Sequence, residues 1–411
     1  MSEAARLPIA GEANARWTTR DRQRLVLVVV HSLPAAQRLD DVIGLVETDL
    51  RVQVAYTQAP GLFGAGVGPL LRSWEVREIP WPEAVHTRVD LAVAAAYRGL
   101  AQLRGPIMVL PHGAGYAKRS PDHDPAVDPD RPVYGLDATR LMADDRVVPA
   151  CVVLSHEEQR AVLAAQCPPA ASTALVAGDP CLDRLLVSRA DRRAYRASLG
   201  LSADQRLVLF ASTWGSNSLF ARNLELMTAA MRELDARRYR VGALVHPAVW
   251  FGHGPRQVRA WLAEVRAAGL MLVEPRVDWR VPMLAADHVI GDHGSATAYA
   301  AALGIPVLHT GFPAEDVHES SAQAWLAQHT PRFDPARPLA MQLRAAAAVA
   351  DEAWRTAVTE RISSRPGHAH RLLRTEMYEL LGLSMPGRHR AAEPIPLPLG
   401  PADPTGVSHV G

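Results

Sequence analysis

Four short stretches carry residues of the types that bind anions or move protons. In Pro111-His112-Gly113-Ala114-Gly115-Tyr116-Ala117-Lys118, a histidine precedes the only lysine of the chain, and every other basic residue among the 44 Lys plus Arg is arginine. Arginine is a wide planar fork and lysine a compact point charge, so a position that keeps lysine in so arginine-biased a chain points to a small-cation requirement near an anion. The bland alternative is a chance leftover on a solvated loop. His112 has an ordinary pKa near 6.5, so the neutral ring can accept a hydroxyl proton near neutrality. His246-Pro247 offers a second imidazole, suited to donating to a phosphate oxygen. Ser212-Thr213-Trp214-Gly215-Ser216 offers hydroxyls on a Gly-containing loop, although a tight turn explains the same composition.

Gly291-Asp292-His293-Gly294-Ser295-Ala296-Thr297 opens an Ala-rich stretch that ends at Gly304-Ile305-Pro306. A helix beginning there presents unpaired N–H groups and the positive end of its dipole, which suit a diphosphate. Gly294 allows close backbone approach, and Ser295 and Thr297 add hydroxyls. Plain N-capping by Asp292 or Ser295 accounts for the same residues and is compatible with a bound anion. The anion-binding candidates are therefore Ser212, Thr213, Asp292, Gly294, Ser295 and Thr297, and the catalytic candidates His112, Lys118 and His246.

All these stretches follow apolar runs that read as buried strands: Leu25 to Val30, Val52 to Tyr56, Ile107 to Leu110, Cys151 to Leu154, Ala174 to Ala177, Leu207 to Ala211, Val241 to Val245, Met271 to Val273, His288 to Ile290 and Pro306 to His309. Helical periodicity fills the gaps, with Val89 to Leu103, Asn223 to Arg237 and Gln257 to Ala267 as examples. Continuous apolar strands alternating with helices predict parallel sheets covered on both faces. The expected class is α/β, with two facing Rossmann-like domains and a ligand cleft at the carboxyl ends of the strands. The expected organisation is an N-terminal extension (1–24), an acceptor domain (25–170), a nucleotide-donor domain (171–340), closing helices (341–385) and a disordered Pro-rich tail (386–411).

The chain has 411 residues, 48% hydrophobic and 21% charged, with a net charge of +1. This balance suits a globular protein with sizeable cores and disfavours a nucleic-acid binder that relies on a basic field. No apolar run approaches a membrane span, no signal-peptide core precedes Leu25, and the three cysteines lack paired spacing, so a reduced cytoplasmic protein is expected. Gly64-Ala65-Gly66-Val67-Gly68 lacks the third glycine of a dinucleotide motif and reads as a cleft loop. Asp122-His123-Asp124 with Asp128 and Asp130 reads as a solvated or lid loop rather than a metal site.

Taken in order, Gly178-Asp179-Pro180-Cys181-Leu182-Asp183, then a strand ending in Ser-Thr-Trp, then His-Pro, then Ala286-Asp287 leading to Ile290 and Asp292, with an upstream His-Gly and Lys, resembles the CDP-glycerol glycerophosphotransferase family. The resemblance spans Leu25 to Leu381. It implies a GT-B fold and metal-independent transfer of an alditol phosphate from a CDP-linked donor to an acceptor hydroxyl, with CMP released and no further cofactor. His112 would match the base, and His246 with Ser295 the donor-phosphate contacts. The chain departs from the family pattern in three places. The His112 to Lys118 spacing is one residue longer, no arginine follows Trp214, and Ala298 and Ala300 stand where GT-B donor sites often carry an acidic residue. A nucleotide-sugar glycosyltransferase or epimerase, and a catalytically silent binding module, therefore stay open. The expected partners are a small-molecule nucleotide donor and a hydroxyl acceptor, with homo-oligomerisation left open.

Overall fold

The structure is a computed structural model, and it describes residues 24–121, 131–387 and 391–398. Strands are numbered in chain order. β1 (Arg24–Val30), β2 (Val52–Gln58), β3 (Leu91–Ala94), β4 (Ile107–Val109), β7 (Cys151–Leu154) and β8 (Ala174–Val176) form a parallel sheet ordered β2-β1-β3-β4-β7-β8. A small antiparallel pair, β5 (Met142–Ala143) and β6 (Arg146–Val147), stands apart from it. β9 (Arg206–Ser212), β10 (Tyr239–Val245), β11 (Met271–Val273), β12 (His288–Gly291) and β13 (Val307–His309) form a second parallel sheet ordered β11-β10-β9-β12-β13.

Period-2 alternation sends successive strand residues to opposite faces, and because both faces are covered the central strands are apolar along most of their length. Val26, Val28 and Val30 of β1 enter one core cluster, and Leu25, Leu27 and Val29 enter the cluster on the opposite face. Phe210 and Val208 of β9 divide in the same way from Leu207, Leu209 and Ala211. Four helices matter for the cleft: α1 (Leu33–Glu47), α2 (Pro180–Ser188), α3 (Ser295–Ala302) and α4 (Ala369–Leu381). α3 is buried on nearly every side, as expected for a helix of alanines without a polar face. α4 packs back on the first sheet through Leu373, Met377, Tyr378 and Leu381.

Two expectations need correction. Val89 to Leu103 reads as a helix in the sequence, but Leu91–Ala94 is a fully buried central strand between β1 and β4. A four-residue apolar run has no periodicity to separate strand from helix, and the following alanines suggested the latter. The Pro-rich tail was expected to be disordered, yet Ile395 is only 2% exposed and joins the core beneath the second sheet. Its N–H donates to Ser188 Oγ (2.9 Å) and its carbonyl accepts from Tyr195 Oη (2.6 Å). Residues 1–23, the acidic Asp122 to Asp130 stretch and residues 399–411 lie outside the described residues.

Candidate functional site

The candidate residues converge because each follows a strand at its carboxyl end. β4 leads into His112, β9 into Ser212, Thr213 and Trp214, β10 into His246, and β12 into Asp292 and His293. Glycine sets how closely the two halves approach: a Cβ on Gly113 would lie 2.5 Å from Ser295 Oγ at the start of α3. Beside this contact, the backbone from Ala117 to Arg119 pairs with the second half. Arg119 N–H donates to Asp316 O (2.9 Å), and His318 N–H donates to Ala117 O (2.8 Å).

Lys118 lies at the centre. Its Nζ meets the Thr213 hydroxyl at 3.4 Å and stands 5.0 Å from the centre of the Trp214 ring. No carboxylate of the described residues pairs with it, and burial pushes its pKa below the ordinary lysine value, partly offset by the more distant Asp292 and Asp316. A largely buried ammonium without a counter-ion is costly unless an anion completes the site.

The two candidate histidines, His112 and His246, are fixed in opposite tautomers. His112 Nδ1 lies 3.0 Å from the Ala95 carbonyl, which only accepts, so Nδ1 carries the proton and Nε2 keeps its lone pair. The outer edge of His112 is open to the cleft, while surrounding protein, with Lys118, Arg38 and His31 nearby, pushes its pKa down to about 4. The ring is therefore neutral near pH 7. His246 Nδ1 accepts from the Ala248 N–H (3.1 Å) and caps the Pro247–His253 helix, so in the neutral ring Nε2 carries the proton. Burial, then Lys118 and His112, push its pKa down to about 3. One imidazole is thus set to accept a proton and the other to donate a hydrogen bond.

The polar residues beside β9 and β12 divide between ligand-facing and structural work. Asp292 was expected to bind the ligand, but its buried carboxylate accepts from Thr213 N–H (2.9 Å), Leu219 N–H (2.8 Å) and Gly294 N–H (3.0 Å). It holds the 212–219 loop against α3 and is closed to a ligand. The Ser212 hydroxyl is likewise engaged within the protein: it donates to the Thr213 carbonyl (2.9 Å) and accepts from Phe220 N–H (2.9 Å). Thr297 is also buried, its hydroxyl 2.3 Å from where a Cβ on Gly291 would sit, so it packs against β12 rather than into the cleft. Ser295 stays partly open, and its N–H and that of Ala296 are among the unpaired amides of the first turn. Thr213 presents its hydroxyl to Lys118, and Gly294 keeps the α3 entrance narrow, 3.2 Å separating its would-be Cβ from Thr213 Cβ.

Sequence reasoning passed over His31, His293 and Arg38. His31 directly follows β1 and His293 lies two residues past the end of β12, so the rule that unusual residues follow strands was signal enough. His293 is buried with Nδ1 unpartnered, and burial, then Lys118, push its pKa down to about 3. Arg38 lies within α1 and carries no such signal. The Gly64 to Gly68 loop closes the mouth. Gly66 has φ +89°, and a Cβ there would fall 2.4 Å from the Phe251 ring, while Phe63 packs on Trp214 at 5.2 Å between ring centres.

No protein-family model matches this chain, and no curated protein is similar to it in sequence. Solved structures are similar in shape. The wall teichoic acid polymerase TagF, in its H548A variant, matches with a TM-score of 0.59 at 12% identity, over 88% of this chain and 90% of that one. The fold is GT-B. MnaA from S. aureus in complex with UDP matches with a TM-score of 0.56 at 12% identity, over 89% of this chain and 99% of that one. UDP-GlcNAc 2-epimerase from Neisseria meningitidis bound to UDP-GlcNAc gives 0.52 at 12% identity, over 87% and 100%. Among the described residues, no helix is long and apolar enough to cross a membrane.

Proposed function

We propose that the cleft binds a nucleotide-activated donor through its diphosphate and transfers the phosphate-linked group to an acceptor hydroxyl, a CDP-alditol being the donor favoured. The observation that carries this reading is the Lys118 ammonium, lodged between Thr213 and Trp214 without a carboxylate partner among the described residues and flanked by a proton-bearing His246 Nε2 and the first turn of α3. Together they supply positive potential and hydrogen-bond donors at one point of a chain whose net charge is only +1. The fold likeness to a wall teichoic acid polymerase agrees with it.

In the proposed step the acceptor oxygen attacks the phosphorus that bears the alditol. A new P–O bond forms as the bond to the bridging oxygen breaks, and CMP departs with the electron pair. His112 Nε2 takes the acceptor proton, and Lys118, His246 and the α3 amides stabilise charge on the departing phosphate. Contact between the two halves at Gly113 and Ser295 holds base and donor together and reduces the entropy cost of meeting.

A nucleotide-sugar reaction is the second reading, favoured by the fold likeness to proteins solved with UDP and UDP-GlcNAc. Charge at a sugar carbon is commonly stabilised by a carboxylate, and Asp292, the carboxylate just before α3, is taken up by backbone amides. This favours chemistry at phosphorus. Incubation with CDP-glycerol and a panel of polyol and sugar acceptors is expected to release CMP, with loss of release in His112→Asn. Release of UDP from UDP-sugars, or their epimerisation, with no CMP from any CDP-alditol, would replace the first reading by the second.

A further inference from the structure

We propose that Arg38 is a positioning residue that sets the base-bearing loop against the donor helix by gripping both through one guanidinium. Arg38 belongs to α1, on the first sheet, and is 3% exposed. One of its terminal nitrogens donates to the Gly113 carbonyl (3.0 Å), directly beside His112, and to Tyr299 Oη (2.7 Å), one turn along α3 from Ser295. The other donates to Asp179 Oδ1 (2.9 Å), the residue that caps α2 by accepting from Leu182 N–H (2.9 Å). Tyr299 closes the circuit by donating to Asp179 Oδ2 (2.7 Å). One planar fork therefore ties the segment bearing His112, the start of the second half and the helix that begins at Ser295.

Only arginine can do this. Its donors are fixed in a plane and diverge, so they satisfy a carboxylate, a carbonyl and a phenol at once. Lysine would keep the charge beside Asp179 but would release one or more of the three elements. Asp41, one turn along α1, makes a parallel link: it accepts from Arg184 of α2 (2.8 Å) and from Arg280 beneath the second sheet. The halves thus stay joined when Arg38 is changed, and what the change removes is the side-chain link between the Gly113 carbonyl and Tyr299 of α3. The effect on turnover rests on the proposed transfer reaction. The effect on geometry does not.

The test compares wild type with Arg38→Lys and the milder Tyr299→Phe, which keeps the guanidinium and removes only the bridging hydroxyl. Hydrogen–deuterium exchange is followed at 111–118 and 295–302, with 151–163 as the control, and steady-state kinetics use whichever donor the wild type turns over. Arg38→Lys is expected to speed exchange at least tenfold in both test segments and leave the control unchanged. It is also expected to lower kcat at least tenfold with the donor KM within threefold, and Tyr299→Phe to change both in the same direction by less. Unchanged exchange in both segments in the folded variants overturns the proposal, as does a wild-type kcat per folded molecule. If the wild type turns over no donor, the transfer reading fails, and the exchange result alone still decides the role of Arg38.

Discussion

At the scale of single residues, Lys118 is a largely buried cation that no carboxylate of the described residues pairs with directly. Lys118→Met is expected to lower kcat/KM about 100-fold, the usual consequence of removing one donor to developing negative charge. Lys118→Arg is expected to recover less than a tenth of that loss, because a planar guanidinium does not reproduce the compact point charge placed between Thr213 and Trp214. Steady-state assays of the two variants check both. The histidines make a second prediction. A base must be neutral, and His112 stays neutral down to about pH 4, so the acid limb of kcat/KM should fall near 4 rather than near 6.5. Lys118→Met should move that limb upward, since one of the charges that depress the ring has gone. For stability the sign runs the same way. Unfolded histidines take up protons near pH 6.5, whereas His112, His246, His293 and His309 in the folded chain resist protonation down to about 3 or 4. Stability should therefore fall as the pH drops from 6.5 toward 3, and a bound anion should slow the fall. Urea midpoints at pH 7 and pH 5, with and without pyrophosphate, measure this.

Strand ends and the first turn of α3 form the next level, where small residues decide how near the two halves come. Gly66→Ala is expected to cost about 1–3 kcal/mol, combining a left-handed backbone with a Cβ inside van der Waals contact of Phe251. The double variant Gly66→Ala with Phe251→Ala should recover part of that cost relative to the two single changes, as a thermodynamic cycle from denaturant unfolding would show. Much at this scale was legible in the sequence. Ten strands announced themselves as apolar runs, and polar residues followed four of them, β4, β9, β10 and β12, into one cleft. Leu91–Ala94 was hidden because a short alanine-rich run reads equally well as helix. The division of work at β9 and β12 was hidden too. A sequence shows that Asp292, Ser212 and Thr297 stand near a phosphate-suited turn, but whether a side chain faces ligand or backbone is decided by φ/ψ angles and neighbours far along the chain. Arg38 was invisible for the same reason: its three partners lie 75, 141 and 261 residues away.

Across the whole molecule, two parallel sheets are joined by buried charge networks along α1, by backbone pairing at Lys118 and by aromatic packing at the mouth. The carboxyl-terminal segments return to both halves: α4 covers the first sheet, and residues around Ile395 cover the second. Ile395→Ala is accordingly expected to destabilise the protein by about 2–4 kcal/mol, a change that a flexible tail would not produce and that denaturant unfolding reads directly. The most direct test of the account is a calorimetric titration of wild type and Lys118→Met with CDP-glycerol, and with UDP-GlcNAc in parallel. The account predicts that wild type binds the CDP-linked donor, that Lys118→Met binds it at least tenfold more weakly, and that UDP-GlcNAc binds less well than CDP-glycerol. Failure of every nucleotide diphosphate to bind, or an affinity indifferent to Lys118, would contradict it.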